Sequence, residues 1–143
     1  MDTQSSRKHV QWTTPETAPA VQGRREFFTY RSLQVDGASD GAMRAHITAS
    51  VKRMTGPTGW HYHICESQFG YVLQGWIDLI FEDRRTVRLE AGDSIYIPGG
   101  VRHNETAVSD DFEILEVCVP ASFGTEACEA PDWEKEAQPE DAA

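Results

Sequence analysis

Between residues 27 and 119 the apolar residues come in short alternating runs, not in the stripe every three or four residues that a helix needs. In Gln68-Phe-Gly-Tyr-Val-Leu73, for example, every second position is large and apolar or aromatic. Segments rich in Val, Ile, Thr, Phe and Tyr predict strands over 27–30, 44–53, 60–64, 68–73, 76–81, 86–89, 94–97, 103–107 and 112–119. Turn residues punctuate them at Asp36-Gly37, Asp40-Gly41, Gly56-Pro57, Gly75, Gly92-Asp93 and Gly99-Gly100. Many strands at close spacing imply an all-β antiparallel sandwich or barrel. The charged run Glu82-Asp83-Arg84-Arg85 reads as a solvated hairpin turn.

The flanks have a different texture. Residues 1–25 are polar and predict an extended arm. In it Val10 and Trp12 alternate with polar neighbours, which suits a strand added to a partner's edge or a loose tail. The barrel is expected over 26–120. Residues 121–143 are rich in Ala, Pro and Glu, with Glu134, Glu136, Glu140 and Asp141 near the end. Only Trp133 there offers much to bury, so a flexible acidic tail is expected.

Charge narrows the function classes. The formal net charge of −10 and pI near 4.8, with scattered basic residues, argue against nucleic acid or an anionic membrane as partner. No apolar run approaches the roughly 20 residues that cross a bilayer, and no apolar stretch follows Arg7 and Lys8 as a secretory signal requires. Cys65, Cys118 and Cys128 form an odd set without CxxC spacing, which fits a reduced compartment. A cytoplasmic protein is expected.

Two blocks carry the candidate chemistry. In Trp60-His61-Tyr62-His63, residues two apart on a strand point to one face about 6.6 Å apart. His61 and His63 can therefore converge on one ion, each nitrogen about 2.0–2.1 Å from it. Gln68 opens the next strand, sharing a face with Gly70 and Val72. The second block, Gly92-Asp-Ser-Ile-Tyr-Ile-Pro98-Gly-Gly100-Val-Arg-His103, uses Gly and Pro to turn the chain and deliver His103 to another strand. Three imidazoles and an amide oxygen would make a compact metal site with open positions.

These blocks resemble the two cupin motifs. His61, His63 and Gly75 match the first, with Gln68 where a carboxylate usually stands; Gly92, Pro98, Gly100 and His103 match the second. The resemblance spans roughly residues 44–120 and implies a double-stranded β-helix, or jelly-roll, barrel around one divalent metal ion. Ala107 stands where an Asn is frequent. Gln68 is expected to ligate through its amide oxygen; the alternatives are a Gln68 that only hydrogen-bonds, or Glu66 in its place. Three neutral imidazoles and an amide would leave the full double charge on the ion and favour anionic oxygen ligands. The donor set suits Fe, Mn, Ni and Zn alike.

Glu116 shares its strand face with Ile114 and Cys118, which suits a general acid or base beside the metal; the alternative is an outward Glu in a surface pair. Glu116-Val-Cys-Val-Pro120 with the His, His, Gln, His set is similar to cupins that linearise unsaturated uronates and to certain polyketide cyclases. Ser122 replaces the pocket Arg of the uronate group. His46 is expected to be a surface or hydrogen-bonded residue, the alternative being a place in the pocket lining; Tyr62 is expected to pack away from the metal, Trp60 to lie beneath a loop, Cys65 to be a small hydrophobe and His9 to be solvated.

The resulting expectation is a metal-dependent enzyme acting on a small chelating oxygenated substrate. Isomerase, cyclase or lyase chemistry would pass through an enolate-like charge, with Glu116 moving the proton. The rivals are an Fe(II) dioxygenase of diketone- or flavonol-like substrates and a non-catalytic metal or ligand sensor. A homodimer is expected, because a lone barrel leaves sheet edges to cover.

Overall fold

A computed structural model describes residues 7–137, and among these the chain forms two antiparallel sheets facing each other. In chain order the strands are β1 (Val21–Gln22), β2 (Phe28–Ser32), β3 (Arg44–Ser50), β4 (His61–Ile64), β5 (Ser67–Gln74), β6 (Trp76–Phe81), β7 (Thr86–Glu90), β8 (Ser94–Pro98), β9 (His103–Val108), β10 (Glu113–Val119) and β11 (Gly124–Ala127). Two short helices, α1 (Val35–Ala38) and α2 (Asp132–Ala137), lie outside the sheets. The six-stranded sheet runs β1-β2-β3-β10-β5-β8, and the five-stranded sheet runs β11-β4-β9-β6-β7. This is the expected jelly-roll arrangement.

The period-two pattern becomes a burial pattern. In β5, Gln68, Gly70 and Val72 turn inward while Phe69, Tyr71 and Leu73 face out. The hydrophobic core includes Phe27, Phe28, Val72, Ile77, Leu79, Phe112 and Ile114. Burying side chains of this size is worth about 1.5–3 kcal/mol each. Strands β3, β4, β5 and β9 add buried polar side chains, among them His46, His61, Gln68 and His103, to the same interior.

Glycine sets the connection that matters most for the site. The Gly99 amide donates to the Glu66 carbonyl at 3.2 Å and the Gly100 amide to the His63 carbonyl at 2.9 Å. A side chain at Gly99 would meet the Cys65 carbonyl oxygen at 1.6 Å, and Gly100 sits at φ +86°. Only glycine allows both the close approach and the left-handed turn. The loop before β9 is thus stitched to the turn after β4, and His61 and His103 become cross-strand partners.

The structure departs from the expected boundaries in several places, beginning with β1, which lies inside the expected arm yet pairs with β2 in the six-stranded sheet. β3 ends at Ser50, three residues early; the Ser50 amide donates to the Phe112 carbonyl and the Val51 amide to the Phe27 carbonyl, and the chain then leaves the sheet. The barrel does not stop at 120. β11 pairs with the open edge of β4, with Thr125 opposite His63 and Ala127 opposite His61. Beyond it α2 packs on the barrel instead of trailing away, because Trp133 has a hydrogen-bonding site to fill. Its Nε1 donates to the Glu82 carbonyl at 2.7 Å, its ring stands edge-on to Trp60 with centroids 6.0 Å apart, and Trp60 Nε1 donates to Glu134 at 2.7 Å. In the arm, Val10 and Trp12 are exposed, while the His9 amide reaches the Ala38 carbonyl. Residues 1–6 of the arm and 138–143 of the tail, including Glu140 and Asp141, lie outside the described residues.

Candidate metal centre

His61 and His63 project from one face of β4, and His103 comes from the start of β9. Their ring centroids are 4.5 to 5.3 Å apart, and one nitrogen from each lies within 4.8 Å of the others, a grouping able to hold a metal ion. His103 is 1% exposed and His61 7%. Buried imidazoles facing one another without a cation between them gain little, so this placement itself suits a metal.

The outward nitrogens are already engaged. His61 Nδ1 donates to the Gly59 carbonyl at 2.7 Å and His103 Nδ1 to the Val101 carbonyl at 2.9 Å. His63 Nδ1 lies 3.0 Å from Thr125 Oγ1. A carbonyl can only accept, so the neutral tautomer puts the lone pair of His61 and of His103 on Nε2, the inward atom; such anchoring is the usual support of metal-ligating histidine. Burial is the main force pushing the His63 pKa down to about 4, helped by His103 and His61 beside it. Burial likewise lowers that of His103. In His61 burial opposes the cation, but a carboxylate at Glu105 and the Gly59 carbonyl outweigh it and raise the pKa.

The other predicted residues gather on the facing sheet. Glu116 points inward from β10, not out to a surface pair. Its Oε1 accepts from His46 Nε2 at 2.8 Å and Thr48 Oγ1 at 3.0 Å, and its Oε2 accepts from Gln68 Nε2 at 3.2 Å. Burial alone would favour the neutral acid, but the His46 and Thr48 bonds outweigh it and the pKa is lowered. His46 is thus a buried, hydrogen-bonded residue of the pocket wall. Gln68 spends its amide nitrogen on Glu116, and its Oε1 is buried without a hydrogen-bond partner. A buried carbonyl oxygen left in that state carries a desolvation cost of about 1–3 kcal/mol unless something else uses it. That orphaned oxygen and the three converging imidazole nitrogens fit a divalent ion. Tyr62 is half-buried on the opposite face of β4, and Trp60 lies beneath α2.

Two features were missed in the sequence. Glu105, two residues after His103 on β9, puts its Oε2 3.5 Å from the Nε2 of both His61 and His103, while Thr58 Oγ1 holds its Oε1 at 2.6 Å. Burial favours its neutral form, yet His61, His103 and Thr58 together bring its pKa down to about 2. The second is a set of arginines lining a cavity. That cavity, of about 400 Å³, is lined by His61 and His63, by Tyr30, Phe112 and Phe123, and by Arg24, Arg25 and Arg44. Arg25 bonds the Thr58 carbonyl, and the Arg44 guanidinium lies 4.9 Å from the centre of the Phe123 ring. In a chain of net charge −10, three cations lining one cavity are a local reversal of sign.

The family model for the cupin domain matches residues 51–119, the span that carries all three histidines. The chain belongs to the cupin superfamily. Among solved cupin-like structures, the polyketide cyclase RemF from Streptomyces resistomycificus superposes with a TM-score of 0.68 at 22% identity, covering 92% of this chain and 96% of that one. KdgF from Halomonas sp. gives 0.66 at 18% identity over 80% and 96%. Hydroxypropylphosphonic acid epoxidase from S. wedmorenis gives 0.61 at 17% identity over 76% and 59%. A Bacillus subtilis (strain 168) protein, the uncharacterised YdbB, is 39% identical over 49 residues, which is 34% of this cupin and 43% of that protein. At these identities the structural likeness establishes the fold alone.

Proposed function

We propose that this cupin is a mononuclear divalent-metal enzyme that isomerises, cyclises or eliminates within a small oxygenated substrate without net oxidation. The observation carrying this reading is that one nitrogen each of His61, His63 and His103 converge beside a cavity that His61 and His63 line and whose wall presents Glu116, a carboxylate held by three donors. His61, His63 and His103 bind the metal through Nε2, and Gln68 through the Oε1 that has no other partner. When bound, the metal supplies Lewis-acid stabilisation of negative charge on a substrate oxygen.

The chain's own residues do the rest. Glu116 takes a proton from the substrate carbon and returns it; His46, Thr48 and Gln68 keep it ionised and fixed in place between these steps. Phe112, Phe123 and Tyr30 give the substrate an apolar wall. Arg24 and Arg44 favour a substrate bearing a carboxylate. The arginine absent at Ser122 has a physical counterpart here, because Arg44 pairs across the strands with Cys118 of β10 and reaches the same cavity. The fold-level neighbour described as a polyketide cyclase supports the redox-neutral side of this reading.

Iron chemistry is the second reading, favoured by the three-histidine set and by the likeness to an epoxidase whose structure is described as FeII. Anaerobic and aerobic assays on β-diketones, flavonols and carboxylate-bearing enols separate the two. Turnover that persists without O2 and is lost in Glu116→Gln is expected. Stoichiometric O2 uptake would reverse the assignment, and affinity without turnover would make the chain a binding protein. The three cysteines are free, in keeping with a reduced, cytoplasmic setting. A homodimer completes the proposal.

A further inference from the structure

The geometry points to Glu105 as an anionic ligand of the same metal, a role that rests on the metal-binding reading above and changes its charge. The carboxylate is not simply near the site; it is aimed at it. Thr58 fixes one end: its Oγ1 donates to Glu105 Oε1 at 2.6 Å, and its amide donates to the Glu105 carbonyl at 3.0 Å. With Oε1 held, Oε2 is left 3.5 Å from His61 Nε2 and 3.5 Å from His103 Nε2. Donors that share one ion through bonds of about 2.1 Å stand roughly 3.0–3.5 Å apart, depending on the angle between them. Both Glu105 separations match that spacing. A separate space of about 30 Å³ touches Gln68, His103, Glu105 and Glu116 on one side and aliphatic side chains such as Leu79, Leu89 and Ile97 on the other.

The arrangement repeats what is seen at the histidines. In each of the four residues one polar atom is anchored to Gly59, Thr125, Val101 or Thr58, and the other is turned toward the common centre. The carboxylate that the first motif lacks at Gln68 is thereby restored from β9. Two consequences follow. The protein contributes one negative charge, so the ion keeps a net charge near +1 instead of the +2 expected from three imidazoles and an amide. Counting Gln68, the chain would offer the ion five donors, which leaves less room for a substrate to bind through two oxygens than three histidines alone would.

The test uses the full-length protein stripped of metal and titrated with Co(II), comparing the native chain with Glu105→Gln, which keeps the shape and the Thr58 bond. Expected are Co(II) binding at least about tenfold weaker in Glu105→Gln, a changed visible ligand-field spectrum, and an unchanged far-UV spectrum of the metal-free variant. A crystal structure of the Co(II)-loaded native protein supplies a measurement independent of any variant: Glu105 Oε2 is expected within about 2.2 Å of the ion. If the native protein binds Co(II) but Glu105→Gln matches it in affinity and spectrum, or Oε2 lies beyond 3 Å, Glu105 is not a ligand while the metal site stands. If the native protein binds no Co(II), the metal reading falls and this inference with it.

Discussion

Glu116 receives hydrogen bonds from His46, Thr48 and Gln68, and this fixes both its ionisation and its direction. Replacing it by Gln removes the proton acceptor at nearly constant shape. Turnover is expected to fall by about 10²–10⁴-fold with metal content unchanged, as checked by steady-state kinetics beside elemental analysis. The histidines carry a pH signature in the metal-free protein. The folded-state pKa of His63 is pushed down to about 4 and that of His103 is also lowered, each below its ordinary value of 6.5. The unfolded chain therefore binds protons that the folded chain refuses, and stability drops as pH falls from about 6.5 toward 4. His61, whose pKa is raised, opposes this in part. Thermal melts of the metal-free protein should show the loss, and His63→Gln should flatten it; a native profile level across that window would contradict the assignment.

Among the elements, the Gly99-Gly100 turn does the positioning. At Gly99 an added Cβ runs into the Cys65 backbone, whereas at Gly100 it meets nothing and only the positive φ resists. Gly99→Ala should thus cost roughly 3 kcal/mol or more and lower metal affinity by displacing His103, while Gly100→Ala should cost about 1–2 kcal/mol; chemical denaturation of the two variants measures the contrast. The same turn illustrates what a sequence can disclose. His61, His63 and His103 were legible because an HxH on a strand and a Gly/Pro-rich turn before a His have a direct geometric meaning. Glu105 obeys the same two-residue rule relative to His103, but a Glu on a strand ordinarily faces water, and its direction depends on Thr58 from a separate loop. Arg44 reaches the cavity only through the register of β3 against β10, which no local pattern encodes. β11 and α2 were hidden for a related reason. Gly124-Thr-Glu-Ala127 has no apolar alternation, and it becomes a strand because β4 offers an unpaired edge.

At the scale of the molecule, the outer face of the six-stranded sheet is unlike the rest of an acidic surface. Phe69, Tyr71, Leu73 and Tyr96 are 40–60% exposed there, with Phe69 opposite Tyr96 and Val117 and Tyr71 opposite Leu115. The expected homodimer would use this face and not the Trp12 arm, since a contiguous apolar patch marks an interface more strongly than a single exposed ring. Phe69→Glu should convert a dimer to monomer in sedimentation, and a native monomer would reject the dimer. Everything chemical depends on imidazoles from β4 and β9 meeting around one ion. The direct measurement is elemental analysis of protein purified without added metal, on the native chain and on His103→Ala. About one equivalent of a divalent transition metal in the native protein and a small fraction of that in His103→Ala is predicted. A native protein that stays metal-free even after incubation with excess Fe, Mn, Ni or Zn would contradict the account.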